Sequence, residues 1–135
     1  MSEVTVHYDG GLHCRAEHGE SGVVVTTDAP KDNHGNGESF SPSEMLSVSL
    51  GSCILSIMAI AARTAGFEIA GATAKITKQM ADSPRRIAAI AVEVRVPGEL
   101  DEDQQRRLQA AARACPVHNV LKIDAPITFT WGHAR

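Results

Sequence analysis

The chain has 135 residues, a length suited to a single domain (1–135) that buries its own core without disulfide or metal staples. Apolar residues are 43% and charged residues 21%, which excludes a disordered chain, and the 4% aromatic content leaves the core to Ala, Val, Ile and Leu. The net charge of -3 and the absence of a long basic run argue against nucleic acid or an anionic membrane surface as partners.

Glu3–His7 alternates and is rich in β-branched residues, so a strand is expected there. After the Gly10-Gly11 turn, Leu12–Glu17 alternates again, with Leu12, Cys14 and Ala16 on one face and His13, Arg15 and Glu17 on the other. A second turn, His18–Gly22, leads to a third strand at Val23–Thr27, which makes a meander of hairpins. Ala29–Ser39 collects Pro30, Asp32, Asn33, Gly35, Asn36 and Gly37 without apolar periodicity, and a mobile or partner-held loop is expected.

Ser41-Pro42-Ser43-Glu44 is the strongest local signal. It combines a cap residue, proline at the first helical position and glutamate three residues after the cap, the pattern of a capping box. The helix it starts is expected to reach about Ala65, with Gly66 ending it. Leu46, Leu50, Cys53, Ile57 and Ile60 recur at helical spacing and are expected to form the inward stripe. Met45–Ala62 is uncharged, but its serines at 47, 49, 52 and 56 favour a buried core helix over a membrane span.

Two further strands are expected at Ala70–Met80 and Arg86–Val96, joined around Asp82-Ser83-Pro84. Asp101 with Gln104 forms a second capping box, and the helix it opens turns Leu108, Ala111, Ala112 and Cys115 inward. Pro116 breaks that helix; a short helix through Leu121 and a last strand at Pro126–Trp131 follow. The fold class is therefore α+β: an antiparallel-rich sheet in the order β-β-β-α-β-β-α-β around a long central core helix. That helix is apolar on more than one side (Met45, Val48, Ile54, Leu55 and Met58 lie off the stripe), so a homodimer is expected to cover it.

Three cysteines behind a polar start (Ser2, Glu3, His7, Asp9) predict a leaderless chain in a reducing, cytoplasmic compartment, and an odd number excludes a fully paired intrachain framework. Cys14, on a strand between Leu12 and Ala16, reads as a small core hydrophobe. Cys53 reads either as a core thiol or as a reactive one approached past Gly51 and Ser52. Cys115 precedes a helix-starting proline, where unpaired amides favour a thiolate and lower the thiol pKa, with His118 three residues on as a proton donor or acceptor; an unreactive cap is the plain alternative. If Cys53 and Cys115 meet in space, one can attack a peroxide and the other resolve the sulfenic acid to a disulfide. No nucleotide, metalloprotease or hydrolase motif is present, and no cofactor is expected. The Cys115–His118 spacing alone is a weak zinc signal, and no metal site is expected. His7, His13, His18, His34 and His133 read as surface residues.

With Phe40-Ser41-Pro42-Ser43-Glu44-Met45-Leu46 running to Leu50-Gly51-Ser52-Cys53, and Cys115-Pro116-Val117-His118-Asn119 downstream, the chain resembles the OsmC/Ohr family, which includes thiol-dependent hydroperoxide reductases. Glu44, nine residues before Cys53, is similar to the OsmC-like branches. The resemblance implies Cys53 as the peroxide-attacking thiolate, Cys115 as the resolving thiol and an intertwined OsmC-like homodimer with sites at the interface. It further implies an organic or small hydroperoxide as substrate and a dithiol reductant, protein-bound lipoyl groups among them. In Ohr-type members a thiolate-stabilising arginine follows the first Gly-Gly turn; here Leu12 stands there, and Arg15 is the candidate to replace it. Glu44 joins the candidate site residues, although nine helical steps set it on the opposite side from Cys53, and capping is its default role. A non-catalytic member of the fold that binds a small ligand, its thiols unreactive, is the competing reading.

Overall fold

The computed structural model describes residues 2–121 and 126–132, so the reading of His133 lies outside the described residues. The described chain forms two compact units, Met1–Leu46 and Ser47–Arg135. Its element order matches the expected one: three strands, a long helix, two strands, two helices and a strand.

In the first unit, β1 (Val6–Gly10), β2 (His13–Glu17) and β3 (Val24–Asp28) form an antiparallel meander. The segment after it is not a loose loop. Lys31–Asn33 makes a turn of 3-10 helix, and Asp28, only 3% exposed, accepts from the Glu38 amide at 2.9 Å through Oδ2. The Asp28 amide donates to the Phe40 carbonyl at 3.0 Å, and the Ser39 hydroxyl donates to the Thr26 carbonyl at 2.9 Å. A short carboxylate at the strand end therefore replaces the missing apolar anchor. His13 stands at the surface, its side chain 38% exposed, with Nδ1 3.5 Å from Asp28 Oδ1.

Helix α1 (Pro42–Thr64) opens on the expected capping box. The Glu44 amide donates to Ser41 Oγ at 3.2 Å, and the Ser41 amide donates to Glu44 Oε1 at 3.0 Å. It ends at Gly66, whose φ of +84° lets the chain turn back so that the Phe67 amide reaches the Ala62 carbonyl at 3.0 Å. The helix is long and apolar enough to cross a membrane by length and composition, yet a row of its side chains belongs to a protein core.

In the second unit, β4 (Thr73–Ala81) and β5 (Arg86–Val96) pair antiparallel, and β5 pairs with β6 (Ile127–Trp131) in parallel. Helices α2 (Glu102–Arg113) and α3 (Pro116–Val120) make the crossover that a parallel pair requires. Leu50, Ile54, Met58 and Ala62 pack with Ile90, Val92, Val94, Val96, Leu108, Ala112 and Cys115 in one cluster, each at most 2% exposed. The buried row of α1 is thus the i, i+4 series from Leu50, not the stripe through Cys53; Ile60 is 62% exposed. That row packs against β5, and beside it Gly51 faces β4, where a Cβ would meet the Ile76 side chain at 3.6 Å and Ala74 at 3.7 Å, ordinary contact distances. The helix lays that face on β4, and Cys53 falls on its flank.

Candidate active site

Cys53 comes from the middle of α1, half-buried and packed against the core cluster. Cys115 comes from the break between α2 and α3. Helix α2 begins with its own capping box (the Gln104 amide to Asp101 at 2.8 Å, the Asp101 amide to Gln104 at 3.0 Å), and Leu108 and Ala112, both fully buried, fix its inner face. Cys115 continues that face and is 0% exposed. Proline at 116 prevents α2 from continuing, and Cys115 becomes the N-cap of α3, its sulfur accepting from the His118 amide at 3.4 Å.

The two thiols are neighbours: Cys53 lies close enough to Cys115 to perturb its ionisation. The 61 intervening residues are folded back so that Cys53 is half-buried and Cys115 is sealed. All three cysteines are free thiols. Burial pushes the Cys115 thiol above its ordinary range, and the neighbouring Cys53 thiol adds to the rise; the amides of His118 and Val117 oppose both without prevailing. The expectation of a lowered pKa at Cys115 is therefore overturned. The thiol does sit at a helix start, but desolvation of a buried thiolate outweighs two amide dipoles.

The Val117 and His118 backbone amides were not singled out by side-chain reasoning, although a cysteine followed by proline at a helix start signals free amides there. Glu44 and Arg15 lie in the first unit, where each has a local role. Glu44 closes the capping box, and Arg15 Nε sits 3.1 Å from Asp9 Oδ2, its side chain 42% exposed. Their assignment to the site rests on the family resemblance alone. Cys14 is half-buried in β2, paired in register with Tyr8 and Thr27. Among the described residues no three His, Cys, Asp or Glu side chains converge as a metal-binding group.

Adjacent thiols of unequal exposure can do two-electron redox chemistry. The accessible sulfur can meet an oxidant, and the buried one can close on it with little movement.

A family model for OsmC-like protein matches residues 35–130. No curated protein matches the sequence. Among solved structures, a proposed osmotic stress induced and detoxification response protein from Psychrobacter arcticus is 39% identical, with a TM-score of 0.88 over 97% of this chain and 96% of that one. An OsmC like protein from Mycoplasma pneumoniae is 18% identical with a TM-score of 0.81, over 97% of this chain and 96% of that one. An organic hydroperoxide resistance protein OsmC from Legionella pneumophila is 12% identical with a TM-score of 0.73, over 98% of each chain. The last two share the fold.

Proposed function

The chain belongs to the OsmC-like family, and from that premise we propose that it is a thiol-dependent hydroperoxide reductase working through Cys53 and Cys115. The observation that carries the reading is the neighbouring thiol pair with one half-buried and one fully buried member.

The accessible Cys53 thiolate attacks the distal oxygen of a hydroperoxide ROOH. The O–O bond breaks, the oxygen bound to sulfur becomes Cys53–SOH, and the alkoxide takes a proton and leaves as ROH. The Cys115 sulfur then attacks the sulfenic sulfur, forming the Cys53–Cys115 disulfide and releasing water with the thiol proton. An external dithiol reduces the disulfide in two exchange steps and leaves as its own cyclic disulfide. The balance is ROOH plus dithiol to ROH, water and oxidised dithiol. A buried, protonated Cys115 suits the second role, since it is sealed from peroxide and can donate its S–H to the Cys53 sulfur until the sulfenic acid forms.

Cumene hydroperoxide with a dithiol tests the reading. Wild-type protein is expected to consume the peroxide, and one equivalent is expected to remove two hydrogens from the intact mass by joining Cys53 to Cys115. Cys53→Ser should abolish consumption. Cys115→Ser should leave a sulfenic acid that dimedone captures at Cys53. Full activity in Cys53→Ser, or wild-type thiols untouched by peroxide, overturns the proposal. Untouched thiols would favour a ligand-binding role, the reading that Leu12 in place of the Ohr-type arginine keeps open.

Val48 and Ile60, 40% and 62% exposed on α1, support self-association as the state in which the site works.

A further inference from the structure

The position of Cys115 depends on how sharply α2 gives way to α3, and that corner has a dedicated side chain. Proline at 116 forces α2 to stop at Arg113 and leaves the carbonyls of its last turn without the amides that a continuing helix would supply. Two of them are recovered locally: the Ala114 amide donates to Ala111 at 3.0 Å, and the Cys115 amide to Ala112 at 3.2 Å. The Arg113 carbonyl is taken by Asn119, whose Nδ2 donates to it at 3.2 Å across six residues. The backbone amide of the same Asn119 donates to the Cys115 carbonyl at 3.0 Å. One residue thus ties α3 both to the end of α2 and to the cysteine between them.

We propose that Asn119 is a positioning residue, whose carboxamide closes the α2–α3 corner and so holds the Cys115 thiol against Cys53. The inference deepens the dithiol reading of the same site and rests on it for its consequence. Asn119 touches neither thiol and acts through the backbone. Without the Nδ2 bond the corner gains freedom in the reduced protein. That freedom is lost again when the disulfide closes, so the pair should be harder to oxidise.

Asn119 is exposed, so its replacement spares the core. Asn119→Asp keeps the size and the backbone bond but removes the donor, and Asn119→Ala removes the side chain's reach. Wild type and both variants are equilibrated in glutathione redox buffer, where the protein dithiol plus oxidised glutathione gives the protein disulfide plus two reduced glutathiones. Intact mass reads the oxidised fraction, and no peroxide is needed. One neutral hydrogen bond corresponds to about a fivefold lower equilibrium constant in each variant, or about 20 mV for a two-electron couple. A loss of overall stability alone would not move this ratio. Constants within twofold of wild type in both variants overturn the inference. If wild type ignores peroxide while the variants still shift, the inference stands and the peroxidase reading falls. Peroxide turnover in wild type with no shift in the variants defeats the inference alone.

Discussion

Replacing Gly51 with alanine should stabilise the protein, although glycine two residues before a candidate nucleophile invites the opposite expectation. Gly51 is buried in the interior of α1, and its φ is an ordinary helical one, so no backbone feature demands glycine. A Cβ there would meet Ile76 Cδ1 and Cγ1 at 3.6 Å and Ala74 Cβ at 3.7 Å, which is ordinary contact. The helix interior favours alanine over glycine by about 0.8–1.0 kcal/mol, and the added methyl is buried with several tenths of a kcal/mol to gain. The expected gain is about 1 kcal/mol or slightly more, which for a chain of this size raises the melting temperature by roughly 3–5 °C. Gly51→Leu should reverse the sign, because its added atoms must displace the end of Ile76 at a cost of about 1–3 kcal/mol. Thermal and urea melts of the three proteins, with thiol reactivity at Cys53 as a control, decide the matter. A lower melting point for Gly51→Ala would refute the packing argument.

The raised pKa of Cys115 has a signed consequence for stability. The folded protein holds this proton more tightly than the unfolded chain does, so the contribution is complete below the ordinary thiol pKa of about 8.5 and is lost as pH rises from there toward the higher folded value. Urea melts of reduced protein between pH 8 and 10 should lose stability with a slope of at most about 1.4 kcal/mol per pH unit from this group, and Cys115→Ser should flatten that slope; an unchanged slope would refute the assignment. In the first unit, a Cβ on Gly35 would overlap the Ala29 carbonyl, which already accepts the Gly37 amide at 3.2 Å. Gly35→Ala should therefore cost about 1–3 kcal/mol and speed hydrogen exchange at the Glu38 amide, and unchanged exchange would show that the segment tolerates the shift.

What the sequence disclosed follows the range of each interaction. Both capping boxes, the glycine ending α1 and the proline break before α3 are local, set by residues at most five apart, and each stands where the pattern predicts. The buried face of α1 is a tertiary matter. Periodicity alone permits both the Cys53 stripe and the Leu50–Ile54–Met58–Ala62 row, and only the packing of the second against Ile90, Val92, Val94 and Val96 in the folded core selects it. The order of residues 29–39 escaped for a related reason: its anchor is a single carboxylate ten residues from the amide it binds, which leaves no periodic trace. The parallel β5–β6 pair was likewise hidden, because strand direction depends on the path of α2 and α3 rather than on the strands themselves.

Cys115 combines both cases, and the contest there can be weighed. Amides at a helix start favour an anion by about 0.3–1 kcal/mol at exposed sites and up to about 2 in partly buried ones. Removing a charged group from water costs several kcal/mol unless it is paired. The local pattern of cysteine and proline identifies the first effect, and only the folded core, with Leu108 and Ala112 sealing the same face, sets the second. Burial wins and the thiol keeps its proton. The amides still touch the sulfur, however, and their worth grows if negative charge passes to it during thiol–disulfide exchange, when a reductant attacks Cys53 and Cys115 departs. The same helix start that fails to ionise Cys115 at rest is thus placed to ease its release as the leaving sulfur in the proposed cycle.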